Sequence, residues 1–137
     1  MRILGLDIGA KRIGVAVSDE TGVIAQPLFY LEPEKGAEDL MKRIGEICRQ
    51  YNVSTIVVGL PLSMDGGDRG SSSRRARKVG EKIRDDLGLT VIFQDERFTT
   101  RQAQRVLISS NMRRKKRKQN VDKIAASIIL QGYLDAR

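Results

Sequence analysis

The sequence contains no histidine, no tryptophan and a single cysteine, Cys48. Without histidine, the chain cannot build a Ser-His-Asp triad, a histidine general base or a histidine-rich metal site. One cysteine can form neither a disulfide within the chain nor a zinc-ribbon site. Cys48 also falls on the apolar stripe of a predicted helix, so we assign it to the core. The chemistry that remains uses carboxylates, lysines, hydroxyls and metal ions held by oxygen.

Long hydrophobic runs are absent as well. No stretch approaches the ~18 apolar residues that a membrane span needs, and the first residues lack the pattern of a signal peptide. We therefore expect a cytoplasmic protein with no membrane partner. The 137 residues are 40% hydrophobic and 31% charged, which fits one globular domain over residues 1–137.

The charge is strongly unbalanced. Lysine and arginine number 25 against 17 acidic residues, so the formal net charge is +8. Such a surplus favours a polyanionic partner, and nucleic acid is the expected one. The alternatives are a basic surface that maintains solubility or a ribosome-associated scaffold.

The periodicity of apolar residues predicts an α/β fold. Three strands come first, and Pro27 suggests that the third lies at a sheet edge. The order βββαβαβαα indicates a five-stranded mixed sheet, with three antiparallel strands followed by two parallel ones and helices on both faces. The predicted elements are strands 2–9, 13–18 and 23–31, helix 37–51, strand 55–61, helix 76–87 with Gly88 as its C-cap, strand 90–96, helix 99–111 and helix 121–134.

Three acidic residues are candidates for a catalytic site, although each has a structural explanation of its own. Asp7 interrupts an apolar first strand, where an arginine partner would also stabilise it. Glu96 ends a later strand, where it can form an ion pair. Its neighbour Asp95 points to the opposite side, so only one of the two can face the site. Asp122 falls in the first turn of the predicted last helix, where an acid complements the helix dipole.

Together the three acids suggest metal-dependent phosphodiester chemistry. A first strand, a later strand end and a late helix start can converge at one edge of a sheet. Two divalent ions about 4 Å apart can stabilise the charge at phosphorus and activate water. Mg²⁺ or Mn²⁺ would suit such a site, because Mg²⁺ prefers oxygen ligands.

Four stretches of the sequence resemble the signature stretches of the YqgF family, which is described as Holliday-junction resolvase-like and as pre-16S rRNA nucleases. They are GLDIGAKRIGVAVSD, VVGLPLSMDG, DERFTT and DKIAASIILQGYL. The resemblance covers essentially the whole chain and implies an RNase H-like fold. It also implies a nuclease that matures the 5′ end of small-subunit rRNA. Its catalytic and metal-binding acids would be Asp7, Glu96 rather than Asp95, and Asp122.

Basic residues near these acids are candidates for binding nucleic acid. They include Lys11 and Arg12 in the first hairpin turn and Arg97 beside Glu96. The densest group precedes Asp122, and we expect it to be a mobile loop that contacts phosphate: Arg113, Arg114, Lys115, Lys116, Arg117 and Lys118. We find no aromatic platform for stacking bases in the sequence.

Other functions stay open at this point. A Holliday-junction DNA resolvase would use the same acids, and a non-catalytic RNA-binding assembly factor would use the same basic run. The segment DIGAKR also resembles the phosphate-binding hairpin of actin-like ATPases, but those proteins need two lobes. RNA is favoured over DNA as the partner, with the precursor of the small ribosomal subunit as its source. The oligomeric state and the role of loop 64–73 are not determined by the sequence.

Overall fold

The structure, a computed structural model, describes residues 1–61, 70–96 and 114–137, and within the last range the side chains from residue 124 onward. Five strands and three helices lie in these ranges. In chain order they are β1 (Arg2–Ile8), β2 (Ile13–Ser18), β3 (Ala25–Leu31), α1 (Ala37–Tyr51), β4 (Val53–Leu60), α2 (Ser71–Leu87), β5 (Thr90–Asp95) and α3 (Arg114–Ala136).

The strands form one sheet in the order β3-β2-β1-β4-β5. β1 pairs antiparallel with β2, and β2 pairs antiparallel with β3. β4 is parallel to both β1 and β5. The predicted mixed sheet is therefore confirmed. Pro27 lies on the edge strand β3, as predicted, next to a register shift in its pairing with β2.

Helices cover both faces of the sheet, which confirms that prediction too. α1 and α2 pack on one face over a large aliphatic core that includes Leu4, Ile44 and Ile83. Cys48 belongs to this core, as expected, and burial raises the pKa of its thiol to about 11. α3 packs on the other face, where Ala126 and Leu130 contact a smaller apolar cluster.

The last helix, α3, ends close to the predicted residue 134, at Ala136, but begins earlier than predicted. Its C-terminal half is fixed at the start of β3, where the Gln131 amide accepts from Ala25 N–H at 2.9 Å and donates to Val23 O at 2.8 Å. Its first residue is Arg114, whereas the apolar pattern placed the start near Val121. The prediction of a loop over residues 113–118 was therefore wrong for 114–118, because lysine and arginine form helices well without any apolar periodicity.

Other boundaries agree more closely. α1 spans the predicted residues, and Gly88 ends α2 in the left-handed conformation with φ 67°. α2 begins at Ser71, before Ala76, the first apolar residue of its pattern. The predicted helix 99–111 lies outside the described residues, as does most of loop 64–73. Among the helices that the structure describes, none has the length and apolar content to cross a membrane.

Candidate active site

Asp7 lies near the C-terminal end of the central strand β1. Its side chain is half-buried, between the buried residues Leu6 and Ile8. Side chains alternate along a strand, so Asp7 shares its face with Gly5. Gly5 approaches Leu130 of α3, where a Cβ on the glycine would lie 2.7 Å from the leucine Cβ. Asp7 therefore points to the face that α3 covers.

Glu96 follows β5 and meets Asp7 on the same face. Its backbone N–H donates to Leu60 O at 3.2 Å, which continues the parallel pairing of β4 and β5 by one residue. Its carboxyl group lies over Gly59 of β4. A Cβ at that glycine would come within 2.6 Å of Glu96 Oε2 and would also contact Ile129. The glycine leaves the space that the Glu96 carboxyl occupies.

The two carboxyl groups form a hydrogen-bonded pair. Burial raises the pKa of Glu96 to about 9, and the charge of Asp7, the hydrogen bond to Asp7 and the charge of Asp95 add to the effect. Without a cation, the pair therefore holds a proton at neutral pH. Two such oxygen donors suit a hard divalent cation, whose charge would replace the shared proton.

Asp122 lies within α3, eight residues after the helix start at Arg114. The prediction that it occupies the first helical turn was wrong, so the helix dipole does not explain an acid at this position. It precedes Ala126 by one helical turn, and Ala126 packs on the face that carries Asp7. The Asp122 side chain lies outside the described part of the chain. Among the described side chains, no group of three metal ligands occurs.

The predicted nucleic-acid-binding residues fall into three groups. Lys11 and Arg12 lie in the β1–β2 turn, which follows the C-terminal end of β1 where Asp7 lies. Gly9 N–H donates to Arg12 O at 2.9 Å across that turn. The Arg12 guanidinium lies 5.3 Å from the centre of the Tyr30 ring. Arg97 and Arg113 lie outside the described residues. Residues 114–118 form the start of α3, and their side chains are not described.

The segment Gly59-Leu60-Pro61 indicated a strand end beside the site, and Gly59 lies there, in β4 beneath Glu96. Sequence reasoning missed one feature of this site, the position of Tyr30 beside Arg12. No signal in the sequence indicated the position of Tyr30, because it depends on how three strands align.

The chain is similar in sequence to proteins of several bacteria. A family model described as "RuvX: Holliday junction resolvase" matches residues 1–136. A protein of Bacillus cytotoxicus is 51% identical over all of this chain and all of its own length. One from Lactococcus lactis is 46% identical over 98% of this chain and 94% of its own. Both carry the name "Putative pre-16S rRNA nuclease".

Two solved structures share the fold at low sequence identity. RuvC of Thermus thermophilus, in complex with a Holliday junction substrate, aligns over 100% of this chain and 95% of its own, with a TM-score of 0.62 and 15% identity. The yeast mitochondrial Holliday junction resolvase Ydc2 aligns over 96% of this chain and 77% of its own, with a TM-score of 0.51 and 12% identity. The fold is thus RNase H-like, and the chain belongs to the RuvX family, also called YqgF.

Proposed function

We propose that the chain is a divalent-metal-dependent endonuclease that cleaves phosphodiester bonds with Asp7, Glu96 and Asp122. The observation that carries the proposal is the hydrogen-bonded contact between the half-buried carboxyl groups of Asp7 and Glu96. Two acids brought together from distant parts of the chain are unfavourable unless a ligand compensates for them. A structural ion pair would bring an acid against a base instead.

Asp7, Glu96 and Asp122 would hold one or two Mg²⁺ or Mn²⁺ ions. When bound, such ions stabilise negative charge on the phosphodiester group and lower the pKa of a water molecule. The protein contributes a fixed frame: Asp7 lies on the central strand, and Glu96 is held through its backbone N–H to Leu60. Binding a cation requires the Glu96 carboxyl to release its proton to solvent, so affinity should rise with pH.

We propose that the substrate is the precursor of 16S rRNA and that the cut matures its 5′ end. The names of relatives 46% and 51% identical to the chain support this substrate. The net charge of +8 supports a polyanionic partner. Lys11 and Arg12, in the β1–β2 turn close to Asp7, would contact the phosphate backbone.

Cleavage of Holliday-junction DNA is the second candidate function. The description of the matching family model favours it. Symmetric cutting of two strands calls for a two-fold dimer. A dimer in solution that binds four-way junctions more tightly than single-stranded RNA would therefore support this candidate.

One cleavage experiment separates these functions. Wild-type protein and Asp7→Asn are incubated with an RNA that spans the 5′ end of 16S rRNA and with a four-way DNA junction, with Mg²⁺, with Mn²⁺ or with EDTA. We expect metal-dependent cleavage of the RNA by the wild type only. Cleavage of the junction alone would favour the resolvase. If neither substrate is cut under any condition while RNA still binds, the chain is a non-catalytic RNA-binding protein.

A further inference from the structure

Tyr30 and Asp7 lie in one row across the sheet. Asp7 of β1 pairs with Gly14 of β2, and Gly14 pairs with Tyr30 of β3. Directly opposed residues of antiparallel strands point to the same face. Tyr30 therefore shares the face of the carboxyl pair, two strand spacings from Asp7, or about 10 Å. Gly14, a buried residue, has no side chain between them.

The Tyr30 side chain is accessible at this position. Tyr30 is 37% exposed on the edge strand β3, and the Arg12 guanidinium lies 5.3 Å from the centre of its ring. Tyr51, Phe93 and Tyr133 instead pack against the two cores. Among the described aromatic residues, only Phe29 is comparably exposed, at 38%. Phe29 pairs with Val15, a residue of the α1–α2 core, and so faces the other side of the sheet.

We propose that Tyr30 and Arg12 form a stacking platform for an unpaired base of the nucleotide next to the scissile phosphate. The inference rests on the proposed nuclease function and specifies its substrate as single-stranded at the cleavage site. Aromatic rings and arginine guanidinium planes are the surfaces on which proteins stack unpaired bases.

The geometry favours a nucleotide over a protein strand as the occupant. A partner strand would have to pair with the β3 edge, but Pro27 removes a hydrogen-bond donor there and the register shift distorts the edge. A duplex is disfavoured as well, since a paired base is already stacked between its neighbours and must be flipped out to reach Tyr30.

The first test measures binding in EDTA, so that it does not depend on catalysis. A single-stranded RNA oligonucleotide carrying 2-aminopurine reports stacking by loss of fluorescence. We compare the wild type with Tyr30→Ala, Tyr30→Phe and, as the matched control, Phe29→Ala. Tyr30→Ala should weaken binding about tenfold and reduce the quenching, whereas Tyr30→Phe and Phe29→Ala should behave as wild type.

The salt dependence separates stacking from charge. Tyr30→Ala should leave the slope of binding affinity against salt concentration unchanged, because stacking releases no counterions. Arg12→Ala should flatten it by up to about 0.7, the value for one phosphate contact on a single strand. If Tyr30→Ala binds like Phe29→Ala, or if the wild type does not bind single strands at all, the platform proposal is wrong.

A second test uses the lack of tryptophan in the chain. Tyr30→Trp introduces a single tryptophan, whose emission a stacked base should quench. We expect quenching by a single-stranded oligonucleotide and none by a duplex of the same sequence. Equal emission with and without the single strand contradicts the proposal, as does equal quenching by the duplex. If the wild type cleaves no substrate but the binding results are as expected, the proposed nuclease function is wrong and the platform remains a binding site.

Discussion

The two faces of the sheet are packed in different ways. The face under α1 and α2 carries large aliphatic side chains that are fully buried, among them Leu4, Leu6, Val15, Ile56 and Val58. The face under α3 also buries Ile3 and Val57, but many of its strand positions, including those around the carboxyl pair, carry small or acidic residues: Gly5, Asp7, Gly14, Ala16 and Gly59. Large side chains bury more apolar area and contribute more stability. Small ones allow α3 to approach closely and leave room for carboxyl groups.

The comparison predicts that the first face determines stability and the second determines activity. Asp7→Asn should leave the fold intact and lower the cleavage rate at least about 100-fold, because even outer-shell changes at metal sites cost 10- to 100-fold. Ile44→Ala, in the core under α1, should lower the free energy of unfolding by about 2–5 kcal/mol. Its activity per folded molecule should stay that of the wild type.

Initial cleavage rates and melting temperatures measure both effects. Asp7→Asn also serves as a stability control, because removing one member of the acid pair should not lower the melting temperature without metal. Full activity in purified Asp7→Asn would contradict the assignment of Asp7.

Two glycines on the α3 face should respond differently to alanine. In Gly59→Ala, the new Cβ would meet the Ile129 side chain and, at 2.6 Å, Glu96 Oε2, so the carboxyl group must leave its position over the glycine. We expect activity to fall at least about tenfold, because ligand geometry tolerates little displacement. In Gly5→Ala, the new Cβ would meet Leu130 Cβ at 2.7 Å and push α3 outward. That variant should lose about 1–3 kcal/mol of stability.

Rates and melting curves of the two variants test this contrast. A normal rate in a folded Gly59→Ala protein would mean that Glu96 does not need its position over the glycine. Ala76→Gly, on the α1–α2 face, is a control: it measures how much an exchange between alanine and glycine changes stability at a position away from the site.

The stability gained on metal binding should depend on the acids of the α3 face and not on residues of the opposite face. Mg²⁺ or Mn²⁺ at 100 times its dissociation constant should add about 2.7 kcal/mol to the free energy of unfolding of the wild type. The shift should be much smaller in Asp7→Asn and unchanged in Phe29→Ala, which alters the opposite face. Thermal shifts measured over a metal titration test the prediction. Equal shifts in wild type and Asp7→Asn would mean that the ions bind elsewhere.

Stability without metal should fall as the pH rises. The pKa of Glu96 is raised in the folded chain from its ordinary value of 4.5 to about 9. The folded state therefore holds a proton that the unfolded state has lost between these values. Over this window, stability should decrease by up to about 1.4 kcal/mol per pH unit. Urea unfolding in EDTA at pH 6, 7 and 8 measures the slope, and Glu96→Gln should remove most of it.

Periodicity along the chain predicted the elements better than it predicted the site. Helix 37–51 could be read directly, because its apolar residues repeat every three or four positions. The alignment of Tyr30, Gly14 and Asp7 depends on register between separate strands, which no single strand encodes. The same holds for Glu96 over Gly59. Local patterns therefore indicated which acids were unusual, but not which small residues make room for them.

The start of α3 shows a second limit. The apolar pattern in the last helix begins near Val121, and the preceding basic run has no apolar residue to reveal its helical phase. Helix formation there follows from the propensities of lysine and arginine. A helix directs adjacent residues about 100° apart, so one phosphate backbone can contact only part of the run.

The basic start of α3 should therefore affect binding more than folding. Replacing Arg113, Arg114, Lys115 and Lys116 with alanine keeps the helix, because alanine has the highest helix propensity. We expect weaker binding to unrelated single-stranded sequences and a salt slope flatter by about one to three units, at about 0.7 per lost phosphate contact. The melting temperature should barely change, because exposed charges contribute little to folding. Fluorescence titrations at several salt concentrations measure the slope. If affinity and slope are both unchanged, the substrate must instead pass over Lys11, Arg12 and the start of α2 at Arg74.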